Sequence, residues 1–191
     1  MHGYMRRVFV KIPPERLGVV IGEGGSVKRE IERLTGTKIT IDTTNSGAII
    51  EQPEDNPNPM GLLKAQDIVR AIALGFSPEK ALRLAEENQV LVVIDLKDIV
   101  SSPNHLERIK GRIIGEKGKT RRIIEETTGC YINIGETEIG IIGSYEEAEA
   151  ARQAISMLIE GKPHSAVYKF LEKEARRLKK SEMTGLWEKY T

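Results

Sequence analysis

Residues 20–41 read VIGEGGSVKREIERLTGTKITI, and residues 113–134 read IIGEKGKTRRIIEETTGCYINI. The second stretch restates the first at a constant offset of 93 residues. Gly22/Gly115, Glu23/Glu116, Gly25/Gly118, Arg29/Arg122, Ile31/Ile124, Glu32/Glu125, Thr35/Thr128, Gly36/Gly129, Ile39/Ile132 and Ile41/Ile134 coincide. An internal repeat of this kind means that one small unit occurs twice, and it fixes the architecture. In each copy a glycine-bracketed turn opens a basic helix. Val27, Ile31 and Leu34 recur at helical spacing, and a glycine after threonine stops the helix as a C-cap does.

Working outward, Val8 to Ile12 is a β-rich run halted by Pro13-Pro14, and Glu15 to Ile21 is a short helix ended by Gly22. Lys38 to Ile41 alternates as a strand, and Gly47 to Ile50 is another. A proline-rich loop, 52–61, leads to a helix over about 60–74, and Ser77-Pro78 caps a further short one. The second unit repeats the order. Val90 to Ile94 is a strand, a helix precedes Gly115, and Lys119 to Thr128 is the basic helix. Tyr131 to Ile134 and Glu138 to Ile142 are strands. Ser144-Tyr145-Glu146-Glu147 is a capping box opening a helix to Glu160. A last helix starts near Pro163, with Val167, Phe170, Leu171 and Leu178 on one face and Lys and Glu opposite.

At 191 residues the chain accommodates two units of about 90. Net charge is +1, so charge has to be judged locally. The single cysteine, Cys130, excludes an internal disulfide or a cysteine zinc site and is expected to be packed. No apolar run reaches the roughly 18 residues of a membrane helix, and MHGYMRRVFVKIP lacks a signal peptide's apolar core. We expect a cytoplasmic protein without membrane contact.

The order β-α-α-β-β-α, with Ile-Gly-x-x-Gly-x-x-x-(Arg/Lys) between the first two helices, resembles a type I KH domain, an RNA-binding module. The resemblance covers about 170 residues. It implies an α+β fold of two tandem type I KH domains, residues 1–87 and 88–181, with 182–191 as a tail. Each would hold a three-stranded sheet with helices on one face, the second carrying an extra C-terminal helix.

A KH domain clamps about four nucleotides beside its glycine loop. The residues present explain how. Gly22, Gly24, Gly25, Gly115 and Gly118 let the main chain approach a phosphate, and the next helix offers unpaired N–H groups and a partial positive end. Glu23, Glu116 and Lys117 fill the turns. An aliphatic groove floor is expected from Val20, Ile21, Val27 and Ile39, and from Ile113, Ile114, Ile123 and Ile132. At 5% aromatic residues there is no stacking platform, which such a groove does not need.

Local charge separates the copies. Arg108, Lys110, Arg112, Lys117, Lys119, Arg121 and Arg122 face only Glu116 across 108–122. The equivalent 15–29 sets Arg16, Lys28 and Arg29 against Glu15 and Glu23. Phosphate contacts dominate affinity, so the second unit is expected to be the principal RNA site.

Rival readings fare worse. Gly118-Lys119-Thr120 resembles the end of a phosphate-binding P-loop, but the full motif needs glycine where Ile113 stands. His2, His105 and His164 share no metal-ligand spacing, and no nucleophile–base pair is evident, so no cofactor and no catalysis are expected. The alternative is a KH-fold protein-interaction scaffold in translation or RNA-processing, exosome-type complexes. The segments 71–84 and 159–172 narrow the match. They resemble those of archaeal and eukaryotic KH-repeat proteins of small-subunit ribosome assembly, the group that partners the endonuclease trimming the rRNA 3′ end. The resemblance implies binding near the 3′ end of small-subunit rRNA. It also implies contact with that endonuclease, the rRNA dimethyltransferase or the alpha subunit of archaeal initiation factor two. Retention of Gly22 and Gly25 suits an archaeal form.

Overall fold

The computed structural model describes residues 6–190, with side chains described as far as Leu186. The chain divides into two compact units between Leu91 and Val92.

The first unit runs β1 (Arg6–Lys11), α1 (Pro14–Ile21), α2 (Ser26–Thr35), β2 (Lys38–Asp42), β3 (Gly47–Gln52), α3 (Gly61–Leu74) and α4 (Pro78–Leu82). Its sheet has the order β1-β3-β2, antiparallel throughout, with Val8 opposite Ile50 and Ile39 opposite the same residue from the other side. α3 packs on β1 and β3 and also meets α1 and α2. Ile12, Val20, Ile31, Ile39, Ile50, Ile68 and Ile72 form the dry interior. Full burial of such a side chain contributes roughly 1.5–3 kcal/mol.

The second unit comprises β4 (Gln89–Asp95), which begins just before the division, then α5 (Pro103–Ile114), α6 (Lys119–Thr128), β5 (Tyr131–Ile134), β6 (Glu138–Ser144), α7 (Tyr145–Ile159) and α8 (His164–Tyr190). The sheet order is β4-β6-β5. Each unit is thus β-α-α-β-β-α, the architecture of a type I KH domain. α8 continues through the segment read from sequence as a tail. Among the described residues no helix is long and apolar enough to cross a membrane.

Local chemistry explains the helix boundaries. Thr35 and Thr128 each donate to the carbonyl four residues back, Ile31 and Ile124, at 2.7 Å. Gly36 and Gly129 then adopt the left-handed conformation that closes a helix. Ser144 and Glu147 form the reciprocal capping box. Alanines 148, 151 and 154 are fully buried and let α7 approach β6 closely. Cys130 is buried, its sulfur filling the space a side chain at Gly143 would need.

Candidate nucleic-acid interface

α5 ends at Ile114, and Gly115 turns the chain out with φ 73°, ψ 173°, a region essentially reserved for glycine. A Cβ there would collide with Thr120 Oγ1. Gly22 does the same with φ 75°, ψ 172°, over Val27. Two left-handed residues follow in each copy: Lys117 (φ 50°) and Gly118 (φ 74°), Gly24 (φ 57°) and Gly25 (φ 80°). Glu116 and Lys117 are exposed, and Gly115 and Gly118 are half-buried, so the turn lies open to solvent. Gly115, Gly118 and Lys119 spend their amides inside it, on Gly111, Gly115 and Glu116. The amides of Glu116 and Lys117 are the first of the loop's helical turn, and so have no acceptor within that turn.

The structure sorts the predicted cations. Arg112 is directed inward and donates to the carbonyls of Leu158 (3.2 Å) and Lys162 (2.6 Å), tying α5 to the α7–α8 junction. Its guanidinium is therefore committed to the fold, unlike the cations closer to the turn. Lys110 reaches Glu107 at 3.3 Å and is only 15% exposed. Arg122 donates to the Lys117 carbonyl at 3.1 Å, bracing the turn from behind. Arg108, Lys117 and Lys119 are exposed and Arg121 half-buried, each without a partner among the described residues. In the first unit every cation of the set is engaged. Arg16 donates to Ile72 and Phe76 carbonyls, Lys28 pairs with Glu32 at 3.0 Å, and Arg29 donates to the Gly24 carbonyl at 2.6 Å.

The helix that follows the turn, α6, packs against β5, the outer strand of its sheet. Ile21, Val27, Ile114 and Ile123 are half-buried and able to line a groove. Val20, Ile39, Ile113 and Ile132 are buried at 3% exposure or less and belong to the core, so the expected floor is narrower than the sequence suggested. The backbone amides of Ile39 and Ile132 point away from their sheets, and each is taken by a carboxylate of the basic helix. Glu32 Oε1 accepts at 2.8 Å and Glu125 Oε1 at 2.9 Å. Sequence reasoning missed this pair, although their coincidence in the repeat was a signal. It also missed the support under the second turn, where Tyr168 Oη sits 3.1 Å from Thr120 Oγ1 and His164 Nε2 lies 3.1 Å from the Arg112 carbonyl.

Family models match both halves. One described as a KH domain covers residues 7–60, and one described as "Eukaryotic type KH-domain (KH-domain type I)", the second of the PNO1 proteins, covers residues 90–176. A KH domain-containing protein of Methanocaldococcus jannaschii is 42% identical over 180 residues, 94% of this chain and 78% of that one. The chain belongs to the PNO1/Dim2 family of KH-domain proteins. The pre-rRNA-processing protein pno1 of Schizosaccharomyces pombe is 29% identical across 92% of this chain and 73% of its own length. A solved complex of a/eIF2α, aDim2p and rRNA from Pyrococcus horikoshii contains a chain of 42% identity and TM-score 0.84, covering 92% of this chain and 97% of that one. In this PNO1/Dim2 member both glycine loops are intact, and only the second carries unengaged cations.

Proposed function

We propose that this protein holds single-stranded RNA at the 115–118 turn of its second unit, residues 88–181, during small-subunit ribosome assembly. A strand's phosphates would lie against Gly115, Glu116, Lys117 and Gly118, with Lys119, Arg121 and Arg108 supplying charge and Ile114 a flank of the groove. The observation that carries this reading is the open turn whose neighbouring cations have no internal partner. The rRNA in the Pyrococcus horikoshii complex and the pre-rRNA-processing role named for the fission-yeast relative support rRNA as the target; the 3′ end of the small-subunit rRNA is our assignment within it.

The first unit, residues 1–87, plays a lesser part in RNA binding through Gly22 to Gly25, Lys28 and Arg29, or receives protein. Its loop-flanking cations are already committed, which favours a protein surface there. The alpha subunit of initiation factor two heads the candidates, followed by the 3′-end endonuclease and the rRNA dimethyltransferase. The protein acts in the cytoplasm, without catalysis or cofactor of its own. Crosslinking in cells with sequencing of the attached RNA tests this: reads concentrated at the 3′ end of small-subunit rRNA are expected, and reads scattered over unrelated RNAs would refute it.

A further inference from the structure

α8 carries a second cationic surface that the glycine loops do not use. Lys169, Lys173, Arg176 and Lys180 recur at i, i+4, i+7 and i+11, which places them within about 60° of one another on the helix. All four are exposed, and none has an ion pair among the described residues. The opposite face holds Val167 and Leu171, both buried, and Leu178, half-buried. The stripe therefore looks straight out from the body and runs for about 16 Å along the axis. Between 165 and 181 there are six cations and two carboxylates. Glu174 is withdrawn into a 2.8 Å pair with Arg177, and Glu172 flanks the stripe alone.

The stripe begins next to the loop. Tyr168, the residue before Lys169, reaches Thr120 beneath the Gly115 turn, and α8 packs along α6. Ordinary helices offset exposed lysines with glutamates at i±4, because such pairs stabilise the helix. Glu172 stands at that spacing from Arg176 and three residues after Lys169, yet it pairs with neither among the described residues, so the row is kept unpaired while Arg177 beside it is paired.

We propose that this stripe is a second phosphate tract, which receives the RNA strand as it leaves the 115–118 turn. It would bind the sugar–phosphate backbone without reading bases, since lysine supplies point charge rather than a base-specific fork. The inference rests on reading the 115–118 turn as an RNA clamp. The full footprint then exceeds the roughly four nucleotides that a glycine loop holds.

The test uses the full chain, fluorescence anisotropy, and two single-stranded RNAs of about five and about twenty nucleotides, sized against that footprint. The charge-reversed protein Lys169→Glu/Lys173→Glu/Arg176→Glu/Lys180→Glu should bind the short RNA within about twofold of the parent. It should bind the long RNA at least roughly tenfold more weakly, with a log–log salt dependence shallower by about 2–3. Lys169→Arg/Lys173→Arg/Lys180→Arg should match the parent on both. Circular dichroism melts check that the exposed changes leave the fold intact. Unchanged binding of the long RNA, or an equal loss on both RNAs, would overturn the proposal, as would a parent that binds both lengths equally. A reversed protein that loses only an acidic protein partner would also overturn it. The loop variant Glu116→Asp/Lys117→Asp separates the two claims. If it leaves the short RNA bound, the clamp reading fails, whatever the stripe does to the long one.

Discussion

Arg122 donates a hydrogen bond of 3.1 Å to the carbonyl of Lys117, and Arg29 does the same for Gly24 at 2.6 Å. The repeat therefore preserves a brace as well as a turn. Lys117 is a non-glycine residue at φ 50°, a conformation that costs about 1–2 kcal/mol. A guanidinium on its carbonyl helps hold it there and leaves other N–H donors facing outward. Arg122→Lys keeps the charge but loses the fork. RNA affinity should fall about fivefold, as expected for a bond worth ~1 kcal/mol, and Arg122→Met should fall further. Anisotropy titrations would show this; equal affinities for parent and Arg122→Lys would mean that only charge matters.

Gly115→Ala should destabilise the second unit by about 1–3 kcal/mol, because the backbone is in glycine territory and the new methyl meets Thr120. Gly111→Ala, inside α5 with nothing within 4 Å of the added carbon, should stabilise by roughly 0.5–1 kcal/mol. Urea melts of the two variants should move in opposite directions.

Glu125→Ala uncovers the outward amide of Ile132. Stability should fall by about 1 kcal/mol, since the amide can turn to water instead. RNA binding should tighten and its base preference broaden, because a donor is freed on the groove side and a carboxylate is removed from it. Glu125→Gln, which keeps an accepting oxygen, should recover the stability but only part of the preference. Binding to a panel of homopolymeric short RNAs measures both; an unaltered preference would exclude the carboxylate from base contact.

Tyr168→Phe removes the hydroxyl next to Thr120 and should cost about 0.5–1.5 kcal/mol. Faster hydrogen exchange confined to 115–121 would show that α8 supports the turn.

Asp67 of α3 is held above the usual carboxylate range by burial, against opposing attraction from Lys64 and Arg70. Its folded value exceeds the unfolded one, so the charged form weakens folding as pH rises through and above the ordinary aspartate range. Asp67→Asn should raise the melting temperature at neutral pH, and the gain should vanish in acid, where both states are protonated. A pH series of thermal melts checks the sign.

Much of this was written in the chain. The 93-residue offset, the Thr-Gly stops and the Ser144 box fixed where helices begin and end. Each works through contacts within a few residues. What the sequence hid acts over distance. A count of cations treats Arg112 and Lys119 alike, yet Arg112 reaches carbonyls 46 and 50 residues away, while Lys119 stays exposed. Periodicity marks Ile132 as apolar without saying that its side chain is core and its amide capped. Tyr168 could not be linked to Thr120 before α8 was seen to pack on α6.

The most direct measurement compares loop variants in the two units on one short single-stranded RNA. Glu116→Asp/Lys117→Asp replaces a cation with an anion at an exposed turn, and aspartate tolerates the left-handed backbone of position 117. It should weaken binding by at least roughly tenfold with little change in the thermal melt, whereas Glu23→Asp/Gly24→Asp should cost no more than about threefold. Unchanged affinity in the first variant, or a larger loss in the second, would contradict the assignment of the 115–118 turn as the principal RNA contact.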